Sequence, residues 1–334
     1  MQHQKTFDVS AIVPLALRLV MGWTYFSAFW RRLILENKLI PEEAGYIGEK
    51  FNHFLPNALG IKPVIEYLVT HPDALWINMV AFTIIEGIVG LALMLGLFTR
   101  LMSIGVFLLA LGILLASGWI GTTCLDEWQI GILGLASGFT LFLTGSNYLS
   151  LDGYFISRKS RFTQTKWFRF LGSGELNLGS HKPLLLVIVF SVFGLTLFTN
   201  QYFHGGVYGT LHNKSVKPKL EISNLKIDRN EVTFDVYRVE GVDVYGSFLI
   251  GISLKNESGK QLLQLDGNAL AQLSPQTISN HYVAKIKPGK HSLVIPLGAK
   301  ATIKIPIDNK WDFQKSAYTL TLTDISGATW TAGF

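Results

Sequence analysis

Glu86-Gly87-Ile88-Val89-Gly90-Leu91-Ala92-Leu93-Met94-Leu95-Gly96-Leu97-Phe98-Thr99-Arg100 sets a carboxylate near the middle of an apolar run that extends from Leu75 to Leu97. As a helix rising 1.5 Å per residue, a run of that length crosses a hydrocarbon core of about 30 Å. An ionisable group at that depth is costly; it usually faces the bundle interior, pairs with another polar group and marks a functional site. Glu86 therefore needs a partner. Arg18 is the candidate, in the first apolar run from Ile12 to Phe29. For antiparallel neighbours the axial offset is about 5 to 8 Å at 1.5 Å per residue, which the long arginine side chain largely bridges. The pair reads either as a structural lock on helix register or as part of a site.

Working outward, further apolar runs cover Leu101 to Ile120, Ile130 to Leu143 (extended to Trp128–Tyr148) and Leu184 to Phe203, giving five candidate spans. The chain has 334 residues, a low charged fraction and abundant Phe and Trp, as a membrane protein does. Basic residues set the orientation. The connection from Ser150 to Lys182 carries Arg158, Lys159, Arg161, Lys166, Arg169 and Lys182, so it is expected inside, with the N-terminus inside and everything after the fifth span outside. The segment from Arg31 to Asp73 is then also outside, although Arg31, Arg32 and Lys38 run against the rule. The first run lacks a small-residue cleavage site and reads as a retained helix. Topology and contact with anionic membrane lipid account for the basic cluster, and without a recognition motif no nucleic-acid partner is expected.

Glycines at helix-packing spacing line the spans: Gly87 and Gly90, Gly105 and Gly112, and Gly131, Gly134 and Gly138. The first helix carries a stripe of Arg18, Gly22, Tyr25, Phe29 and Arg32, read as a packing seam or as one wall of a quinone-sized pocket. From about Lys219 the period changes to two. Val232, Phe234 and Val236 alternate with polar residues, as do Phe248, Ile250, Ile252 and Leu254, then Leu293, Ile295 and Leu297, Ile303, Ile305 and Ile307, and Tyr318, Leu320 and Leu322. About seven to nine short strands of this kind predict a small all-β sandwich. The expected organisation is a four-helix membrane bundle over 1–150, a basic connection over 151–183, a fifth membrane helix over 184–203 and an extracytoplasmic β-sandwich over 204–334.

Chemistry has few obvious carriers. The sole cysteine, Cys124, lies in Gly121-Thr122-Thr123-Cys124-Leu125-Asp126-Glu127-Trp128, where it is either a used thiol or a small buried side chain. Asp126 and Glu127 raise the pKa of a nearby thiol unless a cation such as Arg31 or Arg32 intervenes, or they cap the fourth helix. The spans contain no histidine for haem ligation, no cysteine set for an iron-sulfur cluster and no glycine fingerprint for a flavin or nicotinamide dinucleotide. His204 and His212 follow the fifth span as candidates for anion binding or proton movement, with no further metal ligand at short spacing.

Three segments resemble a fused thiosulfate:quinone oxidoreductase, with a DoxD-type membrane part joined to a DoxA-type extracytoplasmic part. They are Glu86 to Arg100, shared with the wider DoxX-like bundles; Gly121 to Gly131; and His204-Gly205-Gly206-Val207-Tyr208-Gly209 with Leu211-His212-Asn213-Lys214. The resemblance implies oxidation of thiosulfate to tetrathionate, with membrane quinone as the acceptor. On that reading Cys124, Glu86 and Arg18 are catalytic, and Arg31, Arg32, Asp126, Glu127, His204 and His212 surround the substrate. Tyr25, Trp128 and Arg100 face the quinone. A homo-oligomer or a respiratory partner is compatible with it. The alternatives are a non-catalytic DoxX-like anchor or assembly subunit for another oxidoreductase, and a small-anion transporter built on Arg18 and Glu86.

Overall fold

The computed structural model describes residues 12–43, 45–121, 126–176, 179–228, 230–242, 247–307 and 317–333. It divides into two compact units that interleave along the chain. One takes in the chain up to Ala44 with Trp76–Gly118 and Glu127–Leu211; the other takes in Gly45–Leu75, Trp119–Asp126 and His212–Phe334.

The first unit is helical. α1 (Val13–Phe29) runs on into a π-helical turn, Trp30–Leu35. After α2 (Gly48–Phe54) and α3 (Lys62–Thr70), which belong to the second unit, come α4 (Pro72–Leu95), α5 (Thr99–Ser117) and α6 (Asp126–Thr144). Two short helices, α7 (Leu151–Ser157) and α8 (Lys166–Leu171), lead to α9 (Lys182–His204). Among the described residues, Pro72–Leu95, Thr99–Ser117 and Gly179–His204 are long and apolar enough to cross a membrane. The 17 residues of α1 and 19 of α6 complete the bundle.

Glycine sets the helix register. A Cβ on Gly22 of α1 would lie 2.8 Å from the Gly90 carbonyl oxygen and 2.9 Å from the Met94 amide, so α1 and α4 cross backbone to backbone. Gly138 of α6 meets Ser103 and Phe107 of α5 in the same way. Tyr25, Val89, Leu93, Val106, Leu109 and Leu141 fill the space between the four helices. Their outward faces expose Trp23, Ile77, Ile88, Leu91, Leu108 and Leu133, as a lipid-facing surface does. The apolar stretch of α9 is only 6% buried. It joins the bundle near its C-terminal end, where Trp128 Nε1 donates to Thr199 Oγ1 at 3.0 Å.

The second unit is a sandwich of β1 (Lys219–Ile227), β2 (Glu231–Glu240), β3 (Ser247–Asn256), β4 (Gln261–Asp266), β5 (Ile278–Asn280), β6 (Lys287–Pro288), β7 (Leu293–Ile295), β8 (Lys300–Pro306), β9 (Tyr318–Asp324) and β10 (Thr329–Gly333). One sheet has the order β1-β2-β8-β5; the other has β10-β9-β3-β7-β6, with β4 paired to β3. All pairings are antiparallel. Val232, Phe234 and Val236 are fully buried opposite Ile305, Ile303 and Ala301, as period two requires. β3 departs from its expected alternation. The pairing with β9 shifts between Leu249 and Gly251, and this bulge turns Leu249, Ile252 and Leu254 inward while Phe248 is 37% exposed.

The loop helices pack on this sandwich. Asn52 of α2 donates to the Gly298 carbonyl at 3.2 Å and accepts from the Ala284 amide at 3.0 Å. Asn57 Nδ2 donates to Val239 O at 2.9 Å, and Tyr282 Oη to Glu66 Oε1 of α3 at 2.9 Å. The Gly121 amide donates to Ser215 Oγ at 3.0 Å, and Trp119 Nε1 to Phe54 O at 3.1 Å. These hydrogen bonds join described residues of 45–75, 119–121 and 212–307 within the second unit. On the outer face of the β1-β2-β8-β5 sheet, Asp235 accepts from Thr302 Oγ1 at 2.6 Å and Asn224 Nδ2 at 2.7 Å. Burial works against its charge, but these two hydrogen bonds, with His281 and Lys300 nearby, hold its carboxyl below the usual range.

Candidate functional site

Glu86 lies a little past the middle of α4 and is 3% exposed. Its partner is Arg32, not Arg18. Arg32 sits in the π-helical turn that extends α1, a widened turn of the kind found at functional sites, and its Nη1 donates to Glu86 Oε2. The guanidinium lies 5.9 Å from the centroid of the Phe82 ring. It remains 20% exposed, so the pair connects the bundle interior to the surface.

The register set by the glycines explains why the expected pair does not form. Gly87 packs on Phe29 and Gly90 on Gly22 and Phe26, while Arg18 lies against Gly96. That puts Arg18 against a residue ten positions beyond Glu86, just past the end of α4, about 15 Å away at 1.5 Å per residue. Arg18 instead donates to Ser146 Oγ and, at 2.7 Å, to the Leu149 carbonyl. Arg31, next to Arg32 in the chain, turns outward and donates to Ser27 O at 3.2 Å.

Thr83, one helical turn before Glu86 on the same face of α4, is completely buried, and its Oγ1 has no hydrogen-bond partner among the described residues. Sequence reasoning missed it, although the spacing Thr83-Ile84-Ile85-Glu86 was the available signal. Tyr25 lies in the same core as Val89 and Leu93 of α4, its hydroxyl making a long 3.4 Å bond to Val106 O. Arg32, Glu86, Thr83 and Tyr25 thus bring a cation, a carboxylate, an unsatisfied hydroxyl and a weakly held phenol to the α1–α4 side of the bundle.

A second cluster surrounds the tight turn Gly96–Phe98, where Gly96 (φ 63°) and Phe98 (φ 47°) are left-handed. Asp152, at the start of α7, caps α5 by accepting from the Phe98 and Thr99 amides at 2.9 and 3.0 Å and from the Thr99 and Ser173 hydroxyls at 3.0 and 2.8 Å. Arg100 donates to the carbonyls of Phe142, Arg169, Gly172 and Gly174 at 2.7 to 3.0 Å. With Arg100 4% exposed, these carbonyls make it a cross-brace.

The remaining expected residues are scattered. Trp128 is held by Thr199, and Glu127 is half-buried. His204, expected at the membrane surface, is instead fully buried at the end of α9, its Nε2 3.0 Å from Gly118 O, because α9 continues through it. His212 is exposed and belongs to the second unit. Cys124 and the side chain of Asp126 lie outside the described residues. Among the described residues no group of three metal-ligating side chains occurs.

A membrane helical bundle with a buried, partly accessible ion pair, continued into an antiparallel β-sandwich, is the class these features define. The chain belongs to the DoxD family, small subunits of thiosulfate:quinone oxidoreductase, whose model matches residues 13–179, and the model of the companion DoxA small subunit matches residues 203–333. It is thus a fused DoxD/DoxA protein with a general role in thiosulfate:quinone oxidoreduction. Among solved structures, the archaellum periplasmic stator complex of FlaF and FlaG from Sulfolobus acidocaldarius matches 38% of this chain and 97% of its own, at 14% identity and a TM-score of 0.24.

Proposed function

We propose that the chain oxidises thiosulfate to tetrathionate on the side of the membrane that holds the β-sandwich, and that the Glu86–Arg32 pair serves the quinone end of the reaction. Two thiosulfate dianions lose two electrons as their sulfane sulfurs join; the quinone takes up those electrons and two protons. The observation that carries this reading is a buried carboxylate whose counter-ion reaches the surface, in a chain of the DoxD and DoxA families. Thr83 Oγ1 fits a quinone carbonyl, because a buried hydroxyl without a partner gains a hydrogen bond when one arrives. Glu86 supplies a proton acceptor and donor in the bundle, and Arg32 holds its position. On the thiosulfate side, Cys124 takes the sulfane sulfur as a thiosulfonate, releasing two electrons toward the quinone, and a second thiosulfate displaces the thiolate to give tetrathionate. Arg31 supplies an exposed cation for the anionic substrate.

The test is reduction of a short-chain quinone by the purified chain, with sulfite and sulfide as control donors. Turnover with thiosulfate and formation of tetrathionate is the expected result. No turnover by folded protein overturns it and favours a non-catalytic anchoring role.

A further inference from the structure

We propose that the segment 148–171 is an interfacial collar that binds the phosphate headgroups of anionic phospholipids. Five cations, Arg158, Lys159, Arg161, Lys166 and Arg169, are all exposed, and no Asp or Glu occurs between Gly153 and Leu171. Interspersed with them, Leu149, Tyr154, Trp167 and Phe170 are 69, 52, 48 and 51% exposed. Basic residues alone follow from topology; exposed aromatic rings among them do not. Aromatic rings favour the headgroup level, and clustered Lys and Arg beside a span attract anionic lipid.

The collar is rigid enough to present these groups together. Its inward rings interlock edge to face, Phe155 on Phe162 with centroids 5.3 Å apart and Phe162 on Phe168 at 5.2 Å. Arg100 ties the carbonyls of Arg169, Gly172 and Gly174 to α5, and Asp152 ties the start of α7 to the turn before α5. On the outward side the Arg158 guanidinium lies 5.3 Å from the centroid of the Tyr154 ring, a cation and a ring side by side. The collar follows α6 and precedes α9 in the chain, which places its exposed apolar side chains next to two apolar helices in sequence. Charge complementarity selects lipid whose headgroup phosphate carries a net negative charge over a zwitterionic lipid, in which a choline offsets that charge. This inference does not depend on the redox reading.

The full chain, reconstituted in nanodiscs of phosphatidylcholine with or without phosphatidylglycerol, is transferred to detergent, and the lipid retained is identified by mass spectrometry. Wild type is expected to retain phosphatidylglycerol preferentially. Lys159→Gln should lower the preference about fivefold, the value of one cation facing the headgroups. The combined change Arg158→Gln, Lys159→Gln, Arg161→Gln and Lys166→Gln, all at exposed positions, should abolish it while leaving the melting temperature in pure phosphatidylcholine unchanged. Trp167→Ala should shorten retention of both lipids. Equal retention of the two lipids by wild type, an undiminished preference in the combined variant, or displacement of the lipid by inorganic phosphate would overturn the proposal.

Discussion

Among the described residues the helical unit buries two carboxylates, Asp152 and Glu86, and their surroundings differ sharply. Asp152 accepts four hydrogen bonds from two amides and two hydroxyls, and the neighbouring Arg100 donates four to carbonyls. Glu86 is bonded by Arg32, beside a hydroxyl that has no partner. A buried network whose members are saturated has no capacity left for a ligand and acts as structure. A buried pair beside an unsatisfied hydroxyl keeps hydrogen-bonding capacity for a ligand, and the proposed quinone role rests on that.

Asp152→Ala breaks this comparison most severely. It uncaps α5 and leaves Arg18 and Arg100 without their nearby anion, and a loss of about 3–5 kcal/mol is expected. Chemical denaturation in detergent, or failure of the protein to accumulate folded, is the readout. Arg18→Met keeps the length of the side chain and removes a guanidinium whose Nε has no partner; the expected cost is about 1–3 kcal/mol, with turnover per folded molecule unchanged. Turnover lost with stability intact would instead put Arg18 in the site.

Thr83→Val sharpens the contrast from the other side. It removes the orphan hydroxyl at constant shape, so stability should hold or rise slightly, while the KM for quinone rises about tenfold, the worth of one hydrogen bond. A smaller effect is expected outside the membrane, at Asp235. Its folded carboxyl titrates lower than in the unfolded chain, so its stabilisation is present above about pH 4 and is lost as pH falls through the folded value. Asp235→Asn should flatten the acid limb of the stability profile without changing turnover at neutral pH.

The spans were legible because uninterrupted apolar runs of membrane length are rare in water-soluble helices, and Glu86 stood out within one of them. Its partner was not legible. Pairing depends on how α1 and α4 slide past each other, which the contact of Gly22 with Gly90 decides and a count from the membrane edge does not. The sandwich was readable from period-two alternation except at β3, where a bulge at Leu249 and Gly251 inverts the phase. Packing of the segment 45–75 on the β-sandwich rests on single side chains such as Asn52, which reach main-chain groups more than two hundred residues away. Arg100 looked chemical because of its charge; its role as a brace emerges only from the carbonyls of residues 142 to 174 that surround it.

The most direct measurement compares thiosulfate-dependent quinone reduction by Glu86→Gln and wild type in the same lipid, with melting temperatures recorded alongside. Loss of a proton-transferring carboxylate predicts a fall of about 100-fold or more, at a melting temperature close to that of wild type. Near-normal turnover in the Glu86→Gln protein would contradict the account and return the Glu86–Arg32 pair to the structural role that Asp152 and Arg100 play at the other cluster.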